Sequence, residues 1–262
     1  VLYNSRLELV MQVVSVSSPV LSFLVLQFAS LRITLVLDAL SFFLAFGLVA
    51  LLPKKEEKTL GEKKLTFKVI FSDIKEGVHY IVKQKEIFFL LVMASSVNFF
   101  FAAFNYLLPF SNQLYGVQGS YATILTMGAI GSIVGALLAS KIKASMEKLL
   151  FLLALTGLGV MIMGFTLPSY LAFSGNFVCE LFMTIFNIHF FTQVQTKVDG
   201  EYLGRVLSSI YTLAILFMPI ATGLMTWLPS VHLYSFLIIG LGVVILSFLA
   251  LGYVRTHFKK EI

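Results

Sequence analysis

Long apolar stretches without a charged side chain recur along the chain. There are 23 such residues between Glu8 and Arg32 and 54 between Glu86 and Lys141. A membrane-spanning helix needs about 20 apolar residues, so the longer stretch holds two spans, and its turn-forming residues place the break at 111–120. The pattern predicts eight membrane-spanning helices, at residues 9–29, 33–53, 87–110, 120–140, 149–167, 170–194, 206–227 and 231–254.

Composition points to the same class of protein. Hydrophobic residues make up 58% of the chain and charged residues 12%, which is about half the share in a soluble domain. The mean hydropathy is +0.94. These values exclude a soluble globular domain and indicate an all-α integral membrane protein. The single Cys179 also excludes a disulfide framework and a cysteine-based metal site.

The chain has a net charge of +6, and its positive side chains lie almost entirely on one side of the predicted membrane. Of the 19 Lys and Arg residues, 18 lie in segments 1–8, 54–86, 141–148, 195–205 and 255–262, which an eight-span topology puts on one side. Only Arg32 lies on the other side. The positive-inside rule therefore predicts a multi-pass plasma-membrane protein with both termini in the cytoplasm. Because the positive charges flank apolar runs, they do not indicate a nucleic-acid partner.

The loop at 54–86 has two parts. Residues 54–64, KKEEKTLGEKK, read as a charged linker. Beyond them, apolar residues recur at helical spacing, which predicts an amphipathic helix along the membrane surface or the cytoplasmic helix ends. The apolar positions are Phe67, Ile70, Phe71, Ile74, Val78 and Ile81. A stiff connector is the favoured function for this helix, with a calmodulin-type or lipid-sensing role as the alternative.

Polar residues in the sixth predicted span form a candidate site. An ionisable side chain at membrane depth costs several kcal/mol on most scales, and Glu180 lies near the middle of this span. Asn176, Thr184 and Asn187 share its helix face. We expect this stripe to face a wet cavity or neighbouring helices. A substrate or proton contact and a structural hydrogen bond to another helix are the two alternatives.

The third and second predicted spans contribute further polar candidates. Asn98 and Asn105 are seven residues apart on one face, with Asn112 continuing the line, and a run of aromatic residues surrounds them: Phe99, Phe100, Phe101 and Phe104. This combination predicts a pocket for bulky, mostly apolar ligands, unless the phenylalanines face lipid and the asparagines join helices. Asp38 is assigned a capping or bridging role, with a proton pathway as the alternative.

Two features of the apolar spans concern packing and shape. Gly128, Gly131 and Gly135 in the fourth span follow the small-residue spacing that lets helices approach closely. Pro19 in the first span and Pro219 in the seventh predict kinks.

Motifs for enzymatic chemistry are absent from the sequence. The chain has no HExxH, no GxSxG, no phosphate-binding G-x-x-x-x-G-K-[ST] and no DDxxD cluster. Its four histidines and one cysteine do not have the spacing of a metal site. The sequence therefore predicts neither an enzyme nor a metal or cofactor, and transport would have to draw on an ion or concentration gradient.

Four segments resemble the drug-exporter branch of the major facilitator superfamily, which includes macrolide-efflux proteins. Residues 198–208, VDGEYLGRVLS, are similar to the loop between helices ten and eleven in that branch. Residues 17–19, SSP, resemble its fifth helix, and residues 37–42, LDALSF, its sixth. Residues 73–81, DIKEGVHYI, resemble its central-loop helix.

The resemblance implies a partial major facilitator fold in which the eight spans (2 + 6) correspond to helices five to twelve. Residues 1–53 would hold the last two helices of the N-terminal bundle, 54–86 the cytoplasmic linker, 87–254 the six-helix C-terminal bundle and 255–262 a cytoplasmic tail. The third and sixth spans would then line the central cavity. Asp199, Glu201, Gly204 and Arg205 would form a cytoplasmic gating loop, with Arg205 pairing with acids or helix C-termini.

The resemblance also implies a function. It predicts secondary active export of amphipathic drugs such as macrolides, with H⁺ as the coupling ion. Because helices one to four have no counterpart, we expect a fragment that needs them, from a separate N-terminal chain or from the rest of the protein, for alternating access. A facilitator for another small molecule remains open, as does a non-transporting remnant or subunit of a split transporter.

Overall fold

The computed structural model describes residues 14, 25, 30–51, 67–143, 145–165, 169–228 and 230–257. Within these ranges the chain is helical and contains no strand. The helices are α1 (Leu31–Ala50), α2 (Phe67–Lys83), α3 (Lys85–Leu107), α4 (Ser111–Tyr115), α5 (Ser120–Ala139), α6 (Met146–Met163), α7 (Ser169–Lys197), α8 (Gly200–Ile215), α9 (Met218–Thr226) and α10 (Tyr234–His257). A single 3₁₀ turn, Leu108–Phe110, joins α3 to α4.

Seven segments of the described chain are long and apolar enough to cross a membrane. They are α1, α3 with α4, α5, α6, α7, α8 with α9, and α10. These segments confirm the second to eighth predicted spans. The first predicted span, 9–29, lies outside the described residues apart from two positions.

Helix caps and left-handed glycines explain where several of the spanning helices begin and end. Ser30 and Ser145 cap α1 and α6, because each hydroxyl accepts a hydrogen bond from a backbone N–H three residues later at 3.4 Å. Between α4 and α5 the chain reverses through Gly116 (φ 65°) and Gly119 (φ 82°), a left-handed backbone that glycine adopts at no steric cost. The predicted break at 111–120 is thus confirmed, although the helix continues to Tyr115.

The seventh predicted span is interrupted before its proline. α8 ends at Ile215 and α9 begins at Met218, with Pro219 in the first turn of the new helix. Proline has no N–H, so it cannot donate to the carbonyl of Ile215. The predicted kink at Pro219 is therefore confirmed as a break between two helices.

The spans from α3 to α10 pack into one bundle. α6 lies between α7 and α10, α5 packs on the other side of α7, and α3 contacts α8, α9 and α10. Glycine pairs allow the closest approaches. A Cβ at Gly157 would lie 2.8 Å from the carbonyl oxygen of Gly240, and one at Gly159 would lie 2.7 Å from that of Gly175. These contacts hold α6 tightly against both neighbours.

α1 and α2 relate to the bundle in opposite ways. The spanning window of α1 is 0% buried, and its apolar side chains are exposed around the whole helix. α2 instead packs along α8 and touches α3, which confirms the predicted amphipathic helix and places it on helix ends.

We call the end of the bundle that carries Lys85, Lys148, Lys197, Arg205 and Arg255 the charged end.

Candidate functional site

A polar cluster lies inside the bundle, between α5 and α7. The Glu180 carboxylate oxygen Oε2 is 3.4 Å from the Ser132 hydroxyl of α5. One turn earlier on α7, the Asn176 amide Nδ2 donates a 2.8 Å hydrogen bond to the carbonyl of Ile124. Residues spaced by four on α7 therefore meet α5 directly, and we call Ser132, Asn176 and Glu180 the polar cluster.

The glycines of α5 provide the space for this cluster. A Cβ at Gly128 would collide with the Asn176 amide and lie 3.1 Å from Glu180 Cγ. A Cβ at Gly135 would lie 3.2 Å from Thr184 Cβ. The predicted close packing through these glycines is confirmed, and it puts three members of the predicted stripe at a helix–helix contact.

Hydrogen bonding in the cluster is incomplete among the described atoms. Asn176 is 2% exposed, yet its acceptor Oδ1 has no partner there. Leaving such a group unsatisfied costs about 1–3 kcal/mol. Half-buried Glu180 lies beside it on the same face. The cluster thus combines a carboxyl that can take or release a proton with an amide oxygen that can accept a further hydrogen bond.

The amides of the third predicted span are not in contact with this cluster among the described contacts. Asn98 Nδ2 donates a 2.9 Å hydrogen bond to the carbonyl of Ala214, in the last turn of α8. Carbonyls in a helix's last turn lack intrahelical partners, so Asn98 caps a helix that ends partway along a candidate membrane-spanning segment. Asn105 is exposed, and so is Asn187 on α7. Their assignment to a substrate cavity stays a prediction.

Two of the four clustered phenylalanines serve the core. Phe101 and Phe104 are 8% and 1% exposed. Phe104 meets Phe236 of α10 edge to face, with ring centroids 5.8 Å apart. Phe101 contacts Phe104 within α3, and Phe100 also packs on α10, because its ring lies against Gly242. Phe99 and Phe100 are partly exposed and could face a pocket or lipid.

Asp38 lies on the exposed helix α1, apart from the polar cluster. Its backbone carbonyl accepts a 2.7 Å hydrogen bond from the Ser41 hydroxyl. Both the bridging role and the proton role of its carboxylate stay predictions.

A second candidate site lies at the charged end, where α2 crosses the start of α8. Gly77 allows the crossing, because a Cβ there would lie 2.5 Å from the Arg205 carbonyl oxygen and would collide with the Ser209 hydroxyl. Ser209 Oγ is 3.2 Å from the Ile74 carbonyl and 2.8 Å from that of Arg205. The two backbones are thus in direct contact, and we call this crossing the α2–α8 clamp.

Side chains at both ends of the clamp hold it together. The Arg205 guanidinium is 2.9 Å from the Glu76 carboxylate and lies 5.9 Å from the centroid of the Tyr202 ring. Tyr80 stacks on Tyr202 at 5.1 Å. The Tyr80 hydroxyl donates to the Asp199 carboxylate and accepts from the Asp199 N–H, both at 3.2 Å.

Of the four predicted gating residues, two take part in the contacts of this clamp. Asp199 and Arg205 form its polar contacts, and the partner of Arg205 is an acid of the loop helix. Gly204 has open space at its Cβ position. The side chain of Glu201 lies outside the described part of the structure.

The sequence analysis did not assign five of the clamp's other members to a site. They are Glu76, Gly77, Tyr80, Tyr202 and Ser209. Signals were present for four of them, since Glu76, Gly77 and Tyr80 fall within DIKEGVHYI and Tyr202 falls within VDGEYLGRVLS, two segments that resemble family motifs. Ser132, the partner of Glu180, follows Gly128 by four residues and so lies on the same face of α5.

Further ion pairs connect the helices of the charged end. Lys197 at the end of α7 pairs with Glu86 at the start of α3. Arg255 of α10 lies 3.6 Å from Glu147 of α6. Both pairs are substantially exposed, and such pairs contribute about 0–1 kcal/mol each.

These features define a multi-pass helical membrane protein with a polar cluster in its interior and a loop helix clamped to its charged end. The sequence profile of the Major Facilitator Superfamily matches residues 2–214. The chain belongs to this superfamily, whose members are membrane transporters and not enzymes. No curated protein and no solved structure matched the chain.

Proposed function

We propose that this protein exports amphipathic drugs such as macrolides across the plasma membrane, driven by the proton gradient. The observation that carries the proposal is the position of Glu180, an acid in the middle of a spanning helix, 3.4 Å from the hydroxyl of Ser132. A carboxyl at membrane depth is costly and marks a functional site by default. Glu180 is the proton carrier in this proposal.

The surroundings of Glu180 support proton exchange coupled to binding. Asn176 Oδ1 is buried and accepts no hydrogen bond from the described residues, so a donor on a ligand or on a water that reached it would satisfy it. The adjoining glycines keep other side chains away from both groups. A protonated Glu180 can donate to the substrate or to Ser132, whereas a charged Glu180 needs donors.

The substrate class is assigned from the helices around the cluster. Partly exposed Phe99 and Phe100 on α3 offer apolar contact, and exposed Asn105 and Asn187 offer sparse hydrogen bonds. A mostly apolar wall with few polar groups favours a bulky amphipathic ligand. We assign these residues, with Asn98 and Thr184, to the cavity on this basis.

The domain arrangement in this proposal follows the exposure of α1. Its apolar surface is uncovered on every side, as expected for a helix whose partners belong to another bundle. We assign residues 1–53 to that N-terminal bundle and 87–254 to the C-terminal one, with the charged end in the cytoplasm. The α2–α8 clamp then joins the linker to the helix that follows the gating loop.

The experiment compares Glu180→Gln with wild type in the full-length native protein, expressed in a drug-sensitive host. Glutamine keeps the size and removes the proton, so we expect drug resistance and pH-gradient-driven efflux from proteoliposomes to be lost. Thr192→Ala, on an exposed position of the same helix, is the control and should retain both. Unchanged efflux in Glu180→Gln would refute the proton role.

The same assay separates the other functions. Efflux that persists after the pH gradient is collapsed would identify a facilitator. A wild-type protein that gives neither resistance nor efflux of any amphipathic drug would favour a non-transporting remnant or a missing partner chain.

A further inference from the structure

A cleft of about 570 Å³ runs along the outer side of α2 at the charged end. α2 contributes Ser72, Lys75, Glu76, His79, Tyr80 and Lys83 to its lining. Tyr202 of α8 forms the remaining wall, where it stacks on Tyr80. The cleft therefore adjoins the α2–α8 clamp and shares two aromatic rings with it.

The available charge of this cleft is positive. Lys75, His79 and Lys83 follow each other at intervals of four, so they line one side of the helix. The single acid in the lining, Glu76, is already neutralised by Arg205 at 2.9 Å. Within the described chain neither Lys75 nor Lys83 forms an ion pair, and both are exposed. The cleft thus fits an anion.

The contacts of α2 with α8 give the depth of the cleft in the membrane. At one end, Ile74 is held by Ser209, which lies beyond Arg205 in the charge-free run of α8. At the other end, Tyr80 is held by Asp199, which precedes that run. The cleft therefore lies across the level where α8 leaves the apolar core, which is the level of the lipid headgroups.

We propose that this cleft binds the headgroup of an anionic phospholipid from the leaflet at the charged end. Lys75 and Lys83 pair with the headgroup's anionic oxygens, and Ser72 and His79 donate hydrogen bonds to it. The two lysines are eight residues apart, about 12 Å along the helix, so they reach one headgroup from both ends. Basic pockets at this membrane depth select anionic lipids in other proteins.

The position of the cleft gives the bound lipid a consequence. Tyr80 and Tyr202 line the cleft and also close the clamp, so a headgroup resting on them holds α2 against α8. The site depends on neither the transported substrate nor the coupling ion of the proposed function.

Native mass spectrometry of the purified full-length protein tests this site. The protein is exposed in detergent to an equimolar mixture of phosphatidylglycerol and phosphatidylcholine, and the retained lipids are counted. The test variant is Lys75→Gln/Lys83→Gln. The matched control, Lys141→Gln/Lys143→Gln, removes the same charge from exposed lysines elsewhere at the charged end.

We expect wild type and the control to retain phosphatidylglycerol preferentially. The test variant should lose this preference by roughly tenfold, because each lysine contributes to anion attraction at the surface. A Lys75→Arg/Lys83→Arg variant, which keeps the charge, should retain it and shows that these positions tolerate substitution.

Three outcomes would overturn the proposal. The first is undiminished retention of phosphatidylglycerol by the Lys75→Gln/Lys83→Gln variant. The second is equal loss in the control, which would indicate a general effect of charge. The third is displacement of the lipid by millimolar inorganic phosphate, which would show a soluble-anion site instead.

Discussion

The carboxylate of Glu76 and the guanidinium of Arg205 lie 2.9 Å apart and join the loop helix α2 to the start of α8. The two residues are 129 positions apart in the sequence. Their side chains are 51% and 34% exposed, so the pair itself contributes only about 0–1 kcal/mol. The close backbone contact at Gly77 and the Tyr80–Asp199 hydrogen bonds stabilise the same crossing.

Reversing the charge of Arg205 should loosen α2. The Arg205→Glu variant puts two carboxylates opposite each other, and we expect amide hydrogen exchange in residues 67–83 to accelerate roughly fivefold, in line with about 1 kcal/mol. The swapped pair, Glu76→Arg/Arg205→Glu, should recover most of the protection. Lys148→Glu carries the same charge change on α6 and should leave α2 unaffected. Exchange in the swapped protein as fast as in the single variant would contradict a direct pair.

Adding one methyl group at Gly77 should destabilise the clamp more than reversing the charge of Arg205 does. The new Cβ in Gly77→Ala overlaps the Arg205 carbonyl and the Ser209 hydroxyl, and such overpacking costs about 1–3 kcal/mol. We expect faster proteolytic cleavage within α2 of the full-length protein. Gly252→Ala, where a Cβ meets nothing within 4 Å, is the control. Equal cleavage of the two variants would show that α2 and α8 do not touch in solution.

A methyl group at Gly128 should weaken the packing of α5 on α7. The Gly128→Ala side chain would overlap the Asn176 amide, so we expect a loss of about 1–3 kcal/mol in a thermal unfolding measurement. Gly223→Ala adds the same methyl group in open space on α9 and should keep or slightly raise the stability. If Gly128→Ala is as stable as wild type, the interface is looser than the structure shows.

Removing the hydroxyl of Ser132 should impair proton coupling without abolishing it. Ser132→Ala takes away the 3.4 Å partner of Glu180, and losing a hydrogen-bond donor beside a carboxyl changes the balance between its charged and neutral forms. We expect the pH dependence of efflux in proteoliposomes to shift, while Ser174→Ala on α7 leaves it unchanged. An unshifted pH profile would mean that Ser132 and Glu180 are not coupled.

Local sequence patterns were sufficient for the spans and the loop helix. A run of about 20 apolar residues satisfies the membrane wherever it lies in the fold, so seven described spans agree with the prediction. The helical period of α2 likewise depends only on its own residues. The glycines at 128, 131 and 135 also predicted close packing, because small residues at that spacing let helices approach closely.

The sequence patterns could not predict which residues of distant segments contact each other. Periodicity put Asn176 and Glu180 on one face but did not identify Ser132 and Ile124 as their partners on α5. It also put Asn98 on a polar face, without showing that the face meets the end of α8 at Ala214. Arg205 was expected to pair with an acid, yet the choice of Glu76 depends on how a loop helix folds back over the bundle.

The interruption before Pro219 divides one transmembrane segment into two mechanical parts. Its first part, α8, is fastened to the linker through the Arg205–Ser209 turn, and its second part, α9, packs on α3. The Asn98–Ala214 hydrogen bond sits at the joint. The continuity of this transmembrane segment at its midpoint therefore depends on a side chain of a neighbouring helix as well as on the segment's own backbone hydrogen bonds.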